Sequence, residues 1–237
     1  MGNQSQVDNF LKNLPVRILA LNLSVVGLGL LWITVNDLFW KDTVIFNIVS
    51  EGVVWLALVG STFHLLLFAL KCLRFPKEAV EIFGDQDYSA VLPMGAMGLM
   101  GIATFLGREK FPETLVTIVW STGVAAHILL LINFIQHPLK LQISLFSPVY
   151  MVPFVGLGLA GLTSINTGTT ELAPAFFYWT LVCTCVLWPI CFYRAHFYND
   201  PPLNASEENL YAIFLDPPVP ETRALSFRYI NPYFLLL

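Results

Sequence analysis

The run "FSPVYMVPFVGLGLAGLTS", Phe146 to Ser164, has 19 residues and no charged side chain. Its length and apolarity suit a membrane-crossing helix, yet Pro153 interrupts it and Gly156, Gly158 and Gly161 follow. A proline in a helix interior costs about 3 kcal/mol and removes the donor on which the carbonyl four residues back, here that of Val149, would rely. In hydrocarbon no water replaces the lost bond, so a proline at that depth needs a local reason.

The rest of the chain identifies the solvent. Of 237 residues, 56% are hydrophobic and 12% charged, against roughly 25% charged in globular domains. Several charge-poor runs approach the ~20 residues that cross about 30 Å of hydrocarbon. Six spans are predicted: Val16–Phe39, Phe46–Lys71, Tyr88–Gly107, Glu113–Ile135, Phe146–Ser164 and Ala173–Tyr193. The loops "WKDT", "REKFPE" and "NTGTTEL" are short, so the spans pair as three helical hairpins joined by longer links. The reading is therefore an all-α membrane protein of tandem transmembrane hairpins. Residues 1–15 form an N-terminal segment, 16–197 the membrane domain, and 198–237 a link with an incomplete seventh span.

Orientation follows from where the basic residues lie, and the net charge of −4 says little. Lys12, Arg17, Lys71, Arg74, Lys77, Lys140 and Arg194 fall on the N-terminal side, against Lys41, Arg108 and Lys110 on the other. That asymmetry predicts a cytoplasmic N-terminus. The triplets at Asn3, Asn22 and Asn204 then lie in a span or on the cytoplasmic side, where no glycan is expected. The start "MGNQSQVDNF" lacks the order of a cleaved signal, and Gln6 stands where a myristoylation motif has Ser or Thr.

A repeat organises the spans. Pro93, Gly98 and Gly101 of the third span return 60 positions on as Pro153, Gly158 and Gly161 of the fifth. "VGLGL" at Val26–Leu30 recurs at Val155–Leu159, and "HLLLF" from His64 resembles "HILLL" from His127. Pro76, Pro138 and Pro201 close the successive hairpins. Odd spans carry nine glycines against three in the even spans. If equivalent odd helices ring an axis, their kinks face it together, with even helices outside. The pore-lining candidates are then Ser24, Gly27, Pro93, Gly98, Pro153 and Gly158. The alternative is that the glycines serve close packing and the prolines merely kink their helices. Pro189 in the sixth span fits only as an ordinary kink.

Other residues carry weaker readings. Glu51 is a candidate ion-binding carboxylate, since acids inside a membrane are functional by default; a favourable place near a helix N-terminus is the simpler account. His64 and His127 suit partnered histidines between helices better than a proton relay. Cys183 and Cys185, two apart, point to different faces of a helix and make no metal site. There is no G-x-S-x-G, H-E-x-x-H or phosphate loop, so no enzyme, cofactor, metal or nucleic-acid partner is expected. The partners are a lipid bilayer and a solute, and residue chemistry alone ends at channel or transporter.

At these residues the chain resembles the tellurite-resistance and dicarboxylate transporter family, which includes the slow anion channels. "FSPVYMVPFVGLGLAGLTS" is similar to that family's fifth span and "YSAVLPMGAMGLM" to its third. "YRAHFYNDPPLNASEENLYAIFLDPPV" is similar to its link into span seven, with Asp216 in place of an alanine and Ser24 about where a kinking proline is expected. The resemblance implies five hairpins, odd helices lining an anion pathway, assembly as homotrimers, and solutes such as chloride, nitrate, sulfite, malate or tellurite-related anions. It also implies truncation, since three hairpins and part of a fourth are read and the span bearing the family's gating phenylalanine is not. A non-transporting membrane fragment is the rival expectation.

Overall fold

The prolines of the odd apolar runs begin helices instead of interrupting them. In the computed structural model, which describes residues 2–40, 43–136 and 148–197, α1 (Gly2–Lys12) precedes α2 (Ile18–Val35), whose end widens into a π turn at Asn36–Trp40. There follow α3 (Val44–Arg74), α4 (Pro76–Gly84), α5 (Gln86–Val91), α6 (Pro93–Arg108) and α7 (Glu113–Gln136). A 3-10 turn at Pro148–Met151 leads into α8 (Val152–Val155) and α9 (Leu157–Thr163), and further 3-10 turns reach α10 (Ala173–Phe197). Pro76, Pro93 and Pro153 all fall in the first turn of α4, α6 and α8. There the missing N–H has no intrahelical partner to lose and the fixed φ suits the helix. The interior-proline cost expected from the sequence does not arise at these positions. Pro189 is different: it lies inside α10.

Among the described residues, five stretches are long and apolar enough to cross a membrane: Ile18–Trp40, Val44–Arg74, Asp87–Arg108, Glu113–Gln136 and Thr170–Tyr193. The first, second, third, fourth and sixth predicted spans match these to within a few residues. The fifth does not form one helix. It is divided at Gly156 into two short helices flanked by 3-10 turns. Helices α1 and α4 also stand where the sequence reading had an N-terminal segment and a link. Pro138, Lys140, Pro201, Asn204, Asp216 and the predicted start of a seventh span lie outside the described residues.

Backbone contacts divide the chain into a unit of Met1–Leu139 with Val149–Val186 and a second of Lys140–Pro148 with Leu187–Leu237. In the second unit, Trp188 stacks on Phe192 with ring centroids 5.3 Å apart, and Cys191 is buried. In the first, α6 is the central element, packed against α2, α3, α7 and α9. Its apolar window is 67% buried, against 33% for α7, 28% for α2 and 22% for α3. Val26, Val54, Ile102 and Phe105 form a cluster where α2, α3 and α6 meet, and Met100, Trp120, Val124 and Ala160 form another around α7 and α9. The remaining faces are apolar and exposed, as at Leu28, Leu31, Leu56 and Leu129, which suits a lipid solvent.

Local chemistry fixes the helix ends. Asp85 caps α5 by accepting the Tyr88 N–H at 2.9 Å. After α6, Lys110 takes a left-handed φ of 58°. Phe111 N then donates to Leu106 O and Lys110 N to Gly107 O, a Schellman stop followed at once by Pro112. The first hairpin closes through Asn36 Nδ2 on Asn47 Oδ1 at 2.9 Å and through Trp40 stacked on Phe46.

Helix α1 is tied to the end of α3. Lys71, only 6% exposed, donates through Nζ to the carbonyls of Lys12 (2.9 Å) and Leu14 (2.6 Å). One turn on, Arg74 makes two bonds to the Asp8 carboxylate, at 3.0 and 3.1 Å. The Arg74 hydrogen bond and charge hold the Asp8 carboxyl below its ordinary value of 3.8, with slight burial opposing them. Because the folded pKa is depressed, the tie is present above that ordinary value and is lost as pH falls through the lower folded one. Asp8→Asn should therefore speed amide exchange across α1 at neutral pH, and the difference from the parent should vanish in strong acid. Lys71→Met, which leaves two carbonyls without their donor, should lower stability in detergent by about 1–3 kcal/mol, read as a fall in Tm.

Candidate functional site

The divided fifth segment is where helical hydrogen bonding fails at membrane depth. A break at Gly156 prevents the carbonyls just before it from meeting the N–H groups one turn on, so each needs another donor. The structure supplies three in succession. His127 Nε2 lies 2.9 Å from Pro153 O, Trp179 Nε1 donates to Phe154 O at 2.9 Å, and Thr180 Oγ1 donates to Val155 O at 3.4 Å. All three donors come from even spans, α7 and α10. A carbonyl can only accept, so the His127 proton resides on Nε2. Its Nδ1 is buried without a hydrogen bond, although the Pro93 backbone lies close enough to act on the ring.

The same economy continues toward the far end of the segment. Trp120 Nε1 donates to Thr163 Oγ1 at 2.9 Å, and Thr163 Oγ1 in turn donates to Leu159 O at 2.7 Å. Ser164 Oγ donates to Gly161 O, Thr167 Oγ1 to Ser164 O, and Thr117 Oγ1 to Thr167 O. At the near end, the Tyr150 hydroxyl donates to Asp87 Oδ1 at 2.8 Å, tying the fifth segment to the start of the third. Each irregular turn is thus held by hydroxyl, indole or imidazole donors.

The sequence-predicted residues separate by surroundings. Pro93 and Pro153 are buried at helix starts, and both lie close to the His127 ring. Gly98 packs directly beneath the Asn22 side chain of α2, and Gly158 faces Thr180, where a Cβ would meet Oγ1 at 2.9 Å. These two glycines serve close helix contact. Ser24 and Gly27 lie on the exposed side of α2; Ser24 Oγ donates to Ala20 O, and no atom lies within 4 Å of a Cβ built on Gly27. Glu51 is exposed in the second turn of α3. His64, matched to His127 by repeat, has its Nδ1 buried without a partner and packs beside Phe63. The histidines thus differ, since only His127 meets a broken helix. Among the described residues no group of His, Cys, Asp and Glu could hold a metal ion.

Sequence reading missed Trp120, Thr163, Trp179, Thr180 and Asn22. Asn22 is fully buried where α2 meets α6, and neither amide atom has a partner. For Trp120, Trp179 and Thr180 the available signal was indole and hydroxyl donors placed inside apolar even spans.

Close approach sets the sign of two glycine substitutions. A Cβ on Gly156 would come within 2.5 Å of the His127 ring, 2.8 Å of Met97 Sδ and 2.8 Å of Val152 O. Gly156→Ala should therefore push His127 off Pro153 and destabilise by about 1–3 kcal/mol, the usual range for overpacking. Gly27→Ala meets open space on a helix interior and should be neutral or stabilising by up to about 1 kcal/mol. Thermal unfolding of both variants in detergent checks the contrast.

No curated protein and no solved structure matches the chain. A family model described as voltage-dependent anion channel matches residues 13–218, which takes in every apolar helix from α2 to α10. The chain belongs to the voltage-dependent anion channel family.

Proposed function

We propose that this chain contributes the wall of a pathway for small anions across the plasma membrane, built from its odd segments. The observation that carries the reading is the helical hydrogen-bond ladder interrupted at Pro93 and at Gly156 among helices of membrane length. Backbone groups left without a ladder partner at that depth are stable only when enclosed by protein or beside a water-filled cavity. Family membership makes the solute an anion, and the absence of a basic residue inside the odd apolar runs favours weak, dipole-based handling that lets anions leave as readily as they enter. Chloride, nitrate, sulfite and dicarboxylates such as malate are the solute classes to be tried. Ser24, Gly27, Pro93, Gly98, Pro153 and Gly158 remain the proposed lining, with Ser24 and Gly27 supplying its open surface and the other four its shape. Assembly as a homotrimer belongs to the same reading.

In liposomes, the purified chain should pass chloride or malate down a gradient, seen as dissipation of an anion-dependent potential. Vesicles no leakier than empty ones would favour a membrane protein that does not transport.

On the same reading the N-terminus and the start of the link at Arg194 share the cytoplasmic side. An impermeant maleimide applied to intact cells should label Thr170→Cys, in the loop before α10, but not Ser5→Cys, each compared with the parent chain. The reverse pattern would overturn this orientation.

A further inference from the structure

We infer that His127, Trp179 and Thr180 are positioning residues for charge preference: they hold the carbonyls of Pro153, Phe154 and Val155 turned toward the even helices and away from the anion path. The inference rests on the pathway reading above and goes beyond it by naming what keeps the path free of negative ends.

A broken helix presents two chemistries to its surroundings. Carbonyl oxygens are the negative ends of peptide dipoles and repel an anion, whereas amide hydrogens attract one. In a medium of low dielectric such dipoles act strongly at close range. Three carbonyls in a row are freed by the break at Gly156, and three side chains take them up. The donors stand on α7 and α10, while α6, the neighbouring odd helix, packs against α8 and α9. The negative ends therefore point toward the even spans, and the face of the segment turned to the odd spans is relieved of them. His127 is held in this role from both sides. Its ring lies against Gly156, where no Cβ fits, and Nε2 reaches Pro153. The geometry assigns one donor to each carbonyl, so removing a donor frees one identified negative end.

The test uses the whole chain carrying His127→Leu, Trp179→Phe or Thr180→Val, with His127→Gln as the conservative variant, since a glutamine amide reaches about as far as Nε2. Two readouts are taken. Amide exchange across residues 153–160 should quicken about fivefold in His127→Leu and Trp179→Phe, the ratio that a hydrogen bond of about 1 kcal/mol supports, and return toward the parent value in His127→Gln. In planar bilayers under a potassium chloride gradient, the reversal potential of His127→Leu and Trp179→Phe should move toward the potassium value, with His127→Gln restoring chloride preference. Unchanged exchange overturns the positioning role, whether or not the chain conducts. Quickened exchange with an unmoved reversal potential leaves the three residues as scaffolding and overturns their part in charge preference. A parent chain with no anion current overturns the pathway reading and the charge preference resting on it, while exchange still decides whether the donors hold the carbonyls.

Discussion

A backbone carbonyl at membrane depth must find its donor inside the protein, and the fifth segment is where this requirement acts hardest. Helices α2, α3, α6 and α7 meet it through their own backbone ladders, and α10 does so except where Pro189 interrupts it. The segment from Pro148 to Asn166 cannot, because it changes from 3-10 to α geometry and breaks at Gly156. Its carbonyls are instead met by His127, Trp179 and Thr180, and its later turns by Trp120, Thr163 and Thr117. All of these donors but Thr163, which belongs to the segment itself, lie on the flanking helices α7 and α10, so the irregular backbone and its neighbours specify one another. Without the donors, each orphaned carbonyl would cost about 2–7 kcal/mol in an apolar surrounding.

Close approach is the second condition. Between helices in lipid there is little hydrophobic drive, so association depends on contact area and small residues. Glycine meets a neighbouring side chain or backbone at several interfaces around α6: Gly29 with Ala57 and Phe105, Gly98 with Asn22, Gly101 with Val26, and Gly123 with Ala96 and Met100. The central place of α6 follows from this, because its own Gly98 and Gly101 let α2 approach on one side and Gly123 of α7 lets that helix approach on another. The ion pair of Arg108 with Asp37, at 3.8 Å, adds a polar contact at one end.

Most of the architecture was legible because it depends on period and length. Apolar runs near 20 residues marked the long helices, and the match of Pro93 with Pro153 marked two equivalent positions, read as kinks, that are helix starts. Sequence reading failed where a tertiary partner decides. "VPFVGLGLAGLTS" has helical composition, and its division at Gly156 depends on donors some 25 residues away in sequence that no local pattern announces. Gly98 and Gly158 were read by register, and register cannot tell a glycine facing a cavity from one pressed against Asn22 or Thr180. Asn22 was read only as part of an N-x-S triplet, although its burial makes it the least expected polar side chain of α2. His127 was read as a partnered histidine between helices, and its partner proved to be the backbone of the proline that first drew notice.

Lys71 ties the order of synthesis to the order of assembly. The carbonyls of Lys12 and Leu14 leave the ribosome long before the ammonium that caps them, with two membrane crossings made in between. Both partners must end on one side of the bilayer, so the bond can form only after α2 and α3 have inserted as a complete hairpin. A chain in which one of the two crossings failed would leave Lys71 and α1 on opposite sides, with the N-terminal helix loose. The docking of α1 is thus a consequence of a completed first hairpin, because its bonds to Lys71 have no other way to form.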